Sequence, residues 1–432
     1  MAHLCEGGHH IVMLAKHFSG LWRHDNFRKL WAAQALSAFG GRITRTAMPM
    51  IAIITLNSPE SLIGLLSAAG LVPVALAGFF GGGFVERSKK QRLMVALDLV
   101  RAGLLLLIPL AAWFGVLHIW LLFVCAAVAG AATALFQNAD IAFLPRVVGR
   151  EQLLEGNSKL QMTESIAEFV GPGTGGVLIG ILTAPFAVIF NIATYLWSAY
   201  WLSRIKSVAD APETEPHRKA SLSRLLEDIA VGWRAVMTSP PLRAAFLTAS
   251  ILQISWGFFF ALYQLFVLRV LHLSPALVGI IISCGGVSGL IGAAITQPLV
   301  NRVGFGPAMA ISFGLAQIGN VMLLLGAIGG PFTIPLLMGH QLFGDGFLVA
   351  FNILITSLRQ TTVAENEIAR TNALFQSVGG ALLPAAAVTA GVIASEIGTQ
   401  NAVMIGVIVG FIGVAPLLSP RLLALRSVAE AA

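Results

Sequence analysis

Apolar residues run through this chain in long blocks separated by short polar breaks. Twelve blocks reach the roughly 20 residues that a helix needs to cross about 30 Å of hydrocarbon: 28–56, 60–84, 93–115, 118–145, 158–182, 185–205, 243–269, 275–299, 306–327, 331–357, 373–395 and 400–420. A helix satisfies its backbone hydrogen bonds within itself, as hydrocarbon requires. The pattern therefore predicts an all-α membrane protein with twelve transmembrane helices.

The blocks also repeat. Ser58-Pro59 followed by Leu62-Ile63-Gly64 returns as Ser274-Pro275-Ala276-Leu277-Val278-Gly279, and Phe84-Val85-Glu86-Arg87 returns as Leu299-Val300-Asn301-Arg302, with Gly64 and Gly279, and Glu86 and Asn301, 215 positions apart. Asn157 and Asn372 keep the same register ahead of an apolar block. A period of half the chain predicts two pseudo-symmetric six-helix bundles, the build of many transporters. The expected organisation is a tail over 1–26, bundles over 27–205 and 243–422, a central loop over 206–242 and a tail over 423–432. Within the loop, the run Ala211 to Pro216 is polar, and residues 225–237 form an amphipathic helix. That helix is expected to lie flat on the membrane face, with Trp233 and Val236 toward lipid and Arg234 toward water.

Composition agrees with burial in lipid. Hydrophobic residues make up 56% of the 432 and charged residues 11%, whereas a soluble domain carries about 25% charged residues. A formal charge of +7 would suggest nucleic-acid binding in a soluble protein, but here the cations are sorted by side. Lys16, Arg23, Arg28 and Lys29 precede span one, and Arg87, Lys89, Lys90 and Arg92 follow span two. Arg146, Arg150 and Lys159 follow span four, seven more lie in or beside the central loop, and Arg302, Arg359, Arg370, Arg421 and Arg426 complete the set. The opposite breaks hold almost none, with Arg269 the exception. This positive-inside pattern places both termini and the central loop in the cytoplasm, in a cell (inner) membrane, and argues against a nucleic-acid role.

Three cysteines, Cys5, Cys125 and Cys284, indicate neither a disulfide framework nor a metal cluster. Cys5 with His9 and His10 allows a soft-metal site, but a tail without structure, or a true start at Met13, is the simpler reading. No cofactor is expected. Walker and His-Glu-x-x-His motifs are absent, which speaks against ATP hydrolysis and zinc peptidase chemistry.

The break after span two reads Gly82-Gly83-Phe84-Val85-Glu86-Arg87-Ser88-Lys89-Lys90-Gln91-Arg92. It resembles the signature loop of the major facilitator superfamily, with Glu86 in place of the usual acid, Lys90 as the first downstream base, and a weaker echo at Asn301-Arg302. Asp98 and Arg101, three apart in Leu97 to Ala102, are similar to a run in the drug:proton antiporter branch that includes macrolide and siderophore exporters. Phe143 to Arg146 and Ser357 to Gln360 resemble that branch too. Gly171-Pro172-Gly173-Thr174-Gly175-Gly176 in span five matches part of the antiporter motif, although Ala167 stands where that motif has glycine. The resemblance covers residues 27–425. It implies the major facilitator fold, with spans five and eight, and two and eleven, facing each other across the bundles. Span eight would offer Gly285, Gly286, Gly289 and Gly292 to span five, and Gly379-Gly380 would meet the glycines at 78 and 81–83. Ordinary helix packing is the alternative for these glycines.

Ionisable residues inside spans point to the pathway, since each costs about 2.5–3.5 kcal/mol on insertion scales unless it faces protein or water. Arg42 and Arg45 share a face of span one, and Glu164 and Glu168 share a face of span five. Both helices start from the same side, so an Arg–Glu cluster is expected inside the first bundle. It is either a static ion pair or a titrating, substrate-contacting site with Glu168 as the proton carrier. His340 and Asp345 are the candidates in the second half, with Gln341 and Asn352 as hydrogen-bonding partners for substrate. Asp140, Gln137 and Asn138 sit nearer the entrance. Trp256, Phe260 and Tyr263 in span seven are candidates for an apolar wall.

The resulting expectation is a monomeric, proton-driven secondary exporter of a small amphipathic molecule, working by rocking of the two bundles. An importer or symporter of the same fold is the alternative, and a non-transporting membrane sensor a remote one.

Overall fold

The computed structural model describes residues 20–149, 151–206 and 222–431. Cys5, His9, His10, Met13 and the run 211–216 lie outside them.

Twelve long helices follow the apolar blocks: α1 (Asp25–Met50), α2 (Glu60–Phe80), α3 (Lys90–Trp113), α4 (Ile119–Val148), α5 (Leu153–Leu182), α6 (Ala184–Ser203), α7 (Pro240–Leu265), α8 (Pro275–Val303), α9 (Phe305–Leu325), α10 (Thr333–Thr362), α11 (Ile368–Ile397) and α12 (Thr399–Ile412). Eleven of these helices or their short continuations are long and apolar enough to cross a membrane. The exception is α1, which carries Arg28, Lys29, Arg42 and Arg45. No strand occurs among the described residues. Helix starts follow local chemistry: Ser239 and Ser274 accept from the backbone N–H three residues on, at 3.4 Å each, with proline in the first turn behind them.

The duplication extends to backbone detail. Both α1 and α7 finish in a wider helical turn, Ile51–Thr55 and Phe266–Val270, 215 positions apart. Asn57 and His272 both take positive φ, and the matching bonds Ser58 N–H to Ala52 and Leu273 N–H to Val267 measure 2.9 and 3.1 Å.

Within the first half, α6 packs against both α1 and α3, and α4 against α2 and α3. The interface holds the Asp98–Arg101 ion pair, which is almost fully buried. The Arg101 guanidinium lies between the rings of Phe136 and Tyr195, 4.6 and 4.3 Å from their centroids, so cation–π contact offsets part of its desolvation. In the second half α7 packs on α11 and α12. The halves meet along α5–α8 and α2–α11, as the resemblance implied.

The linker helix, Leu222–Thr238, corrects one expectation. It docks on α11 instead of presenting Val236 to lipid. Val236 is fully buried beside Leu242, Phe246 and Leu374. Gly232 explains the approach, because a methyl there would sit 2.7 Å from the Arg370 carbonyl oxygen. Asp228 pairs with Arg370 at 3.3 Å, and half-exposed Trp233 sets its edge on Phe246.

Candidate functional site: one closed end and a cavity opposite

Where α5 crosses α8, Gly176 lies against Gly279; where α2 crosses α11, Gly64 lies against Gly391. A methyl on any of the four would sit 2.9 Å from the partner glycine's Cα. Hydrogen in place of a side chain is what lets the backbones touch. The two crossings are related by the 215-residue repeat and lie at the end away from the sorted cations. Next to Gly176, Gly173 N–H donates to Ser283 Oγ at 2.8 Å.

Arg269 reinforces this closed end. From the end of α7 it reaches into the first half, donating to the Ser58 carbonyl at 2.8 Å and the Ile53 carbonyl at 3.1 Å, with Glu60 at 3.4 Å. The cation that broke the charge sorting is therefore a contact between halves, and it sits on carbonyls left free where α1 ends.

At the basic end the halves separate around a cavity of about 1390 Å³ walled by α2, α4, α7, α10, α11 and Leu225 of the linker helix. Gly78, Gly379 and Gly380 line it. They do not meet as expected: Gly379 lies against Gln253 and Gly380 against Ala75, while a methyl on Gly78, Gly82 or Gly83 would find nothing within 4 Å. The physical reason is that the helices diverge here. A second correction concerns α8, where Gly286 meets Phe169 of α5 but Gly285, Gly289 and Gly292 pack toward α10.

The expected Arg–Glu cluster forms. Arg42 bridges Glu164 at 3.0 Å and Glu168 at 2.5 Å, with the guanidinium mostly buried and both carboxylates half exposed. Gly171 gives the Arg42 side chain its space, and Gly175 gives it to Ile43. Arg45 is exposed and has no hydrogen bond or ion pair to another described residue, although the charges of Arg42, Glu164 and Glu168 reach it. Asp140 is bound by Gln34 and lies within electrostatic reach of Glu164, as Asp345 lies within reach of Glu168. Asp345 packs beside Gly285 and Gln341.

His340 is not brought to these carboxylates. It is buried, with Nδ1 3.2 Å from the Gly319 carbonyl; the carbonyl can only accept, so Nδ1 carries the proton. Its ring stacks on Tyr263, centroids 5.8 Å apart. Trp256 and Phe260 are each 44% exposed, yet neither they nor Tyr263 line the cavity. Its α7 wall is made by Phe246, Ser250 and Gln253, with Asn352 and Arg359 from α10 and Gln376 from α11. Of these the sequence pointed to Asn352, and Arg359 could have been found by following α10 at helical spacing from it.

In the signature loop, Lys90 is buried and donates to the Glu86 backbone carbonyl at 2.7 Å. Arg87 and Arg92 are exposed, as are Asn301 and Arg302. Gln91 caps α6 through the carbonyls of Leu202 and Ile205 at 2.7 and 3.0 Å. Pro172 sits buried inside α5 between Gly171 and Gly173.

The family model described as Major Facilitator Superfamily matches residues 30–388. Macrolide efflux protein A of Streptococcus pyogenes is 26% identical over 156 residues, 36% of this chain and 38% of that protein. The putative bacilysin exporter BacE of Bacillus subtilis is 25% identical over 285 residues, 65% and 67% of the two chains. Among solved structures, a bacterial homologue of the iron transporter ferroportin superposes with a TM-score of 0.70 in its inward-facing state at 16% identity, covering 92% of this chain and 98% of that one. Its outward-facing state gives 0.51 at 17% identity, covering 91% and 98%.

Proposed function

This chain belongs to the Major Facilitator Superfamily, and we propose that it is a proton-driven exporter of a small amphipathic molecule, seen here with its pathway open to the cytoplasm. The observation that carries this reading is one-sided access. Two glycine crossings and Arg269 close one end, while a cavity opens at the end where the cations are concentrated. Positive-inside sorting makes that open end cytoplasmic, with both termini and the linker helix on the same side. The bundles over 27–205 and 243–422 are the bodies that rock. Reversal separates Gly64 from Gly391 and Gly176 from Gly279, breaks the Arg269 contacts, and brings Gly78, the loop at Glu86 and Gly379–Gly380 together. The export direction is supported by the efflux proteins among the relatives.

Glu168 is the proton carrier in this reading. It is half exposed, shares Arg42 with Glu164 and lies within reach of Asp345. Protonation would leave Arg42 to Glu164 alone and remove the repulsion toward α10, coupling charge at α5 to the separation of the halves. Reconstituted protein tests this. Glu168→Gln should abolish uptake driven by a pH gradient into inside-out vesicles while substrate-for-substrate exchange persists. Driven transport at the parent rate would remove Glu168 from the role.

A further inference from the structure

We propose that Arg359 is the recognition point for an anionic group, so that the cavity takes amphipathic molecules carrying a carboxylate, phosphate or sulfonate. The inference rests on the transport reading above and names its substrate class. Most of the lining is apolar, with Leu71, Val72, Leu76, Phe246 and Leu383 among it, and the polar side chains are amides and hydroxyls such as Gln137, Gln253, Asn352 and Gln376. Among the described residues that line it, Arg359 is the one charged side chain, and no carboxylate faces it there.

Three further observations set Arg359 apart. Its Nε is buried without a hydrogen-bond acceptor, a costly state for a donor of a charged group. Its guanidinium is held over the Phe375 ring, 4.8 Å from the centroid, which fixes its plane while leaving acceptor positions at its edge open. The neighbouring cation Arg370, by contrast, is already paired with Asp228. Asn352, Thr356 and Arg359 line the cavity at i, i+4 and i+7 on α10, so an apolar body lying along this face would have amide and hydroxyl groups beside it and its anion at the guanidinium. A planar guanidinium matches such an oxyanion with two parallel bonds.

A matched pair of dyes tests this on the full chain purified in neutral detergent: 8-anilinonaphthalene-1-sulfonate, and N-phenyl-1-naphthylamine, which lacks the sulfonate. Arg359→Gln should weaken the sulfonate dye by about tenfold, the value of one charge-assisted contact, and the neutral dye by less than twofold; Arg359→Lys should fall between. The neutral dye also reports whether the variant still folds. Equal effects on both dyes, or none on the sulfonate, would overturn the proposal. Displacement of the sulfonate dye by inorganic phosphate identifies a site for free anions. Displacement by dihexanoylphosphatidic acid alone identifies one for lipid-like phosphate. Failure of driven transport with dye discrimination intact would count against the transport reading and leave the anion site standing.

Discussion

In the first half Asp98 and Arg101 form a buried ion pair; 215 positions on, Phe313 and Ala316 are buried at the same register, with Phe313 against Phe351 at 4.9 Å between centroids. The contrast recurs along the chain. Arg42, Arg45, Glu164 and Glu168 correspond to Gly257, Phe260, Gly379 and Leu383. Yet Gly64 and Gly279, Gly176 and Gly391, and the wide turns ending α1 and α7 remain equivalent. What is kept is what both halves must present to each other, because a change there has to fit a partner backbone. The Asp98–Arg101 position could diverge because it is interior to one bundle, where an ion pair and an aromatic pair can each satisfy the space on their own terms. The Arg42–Glu164–Glu168 cluster and the buried Asp98–Arg101 pair belong to the first half, and the second half carries apolar or aromatic residues at most of the matching positions.

That division can be broken most severely at Arg101. Arg101→Ala strands Asp98 in the interior, at about 3–5 kcal/mol, and should cut folded protein in the membrane by more than tenfold, read by fluorescence-detected size exclusion. Transplanting the second half's solution, Asp98→Phe with Arg101→Ala, should recover at least part of it. A double variant as poor as the single would show that the two interiors are not interchangeable. The glycine crossings come next. Gly176→Val and its counterpart Gly391→Val force backbone apart and should each lower transport by roughly a hundredfold, an overpacking effect of about 3 kcal/mol. Markedly unequal losses would end the claim that the crossings are equivalent.

Arg269 has no counterpart, since Ile54 stands at its register. Arg269→Gln should raise outer-side maleimide labelling of a cysteine at Ser67 by about tenfold, as expected from losing charge-assisted bonds of about 1.5–3 kcal/mol. Unchanged labelling would reduce Arg269 to a static contact. The smallest effect is expected at the linker, where Asp228→Asn removes an exposed pair worth about 0–1 kcal/mol and should change transport less than twofold.

Much of the frame was legible in the residues alone. Block lengths gave the spans, the 215-residue offset gave the two halves, and the shared face of Glu164 and Glu168 gave their joint pairing with Arg42, while Arg45 stays outside it. Helix orientation was harder. Val236 reads as lipid-facing on a helical wheel, and only the close approach at Gly232 turns it into protein. Gly78 and Gly379 read as partners because the signature loop belongs to an interface, but that interface is open here and the touching pair is Gly64 with Gly391. A sequence records contacts of every state at once and cannot say which are made together. Arg359 was hidden for a simpler reason: a base at the end of a span looks topological until the acid-free wall around it is seen.

The most direct test of the rocking of these halves is a pair of spin-label distances in a cysteine-free background, Lys89→Cys with Glu365→Cys at the basic end and Val116→Cys with Ile328→Cys at the other. Lowering the pH on the outer side of reconstituted protein should change the two populations reciprocally, the basic-end distance shortening as the opposite distance lengthens. Distances that stay fixed, or that change in the same sense, would contradict alternating access by these two bundles.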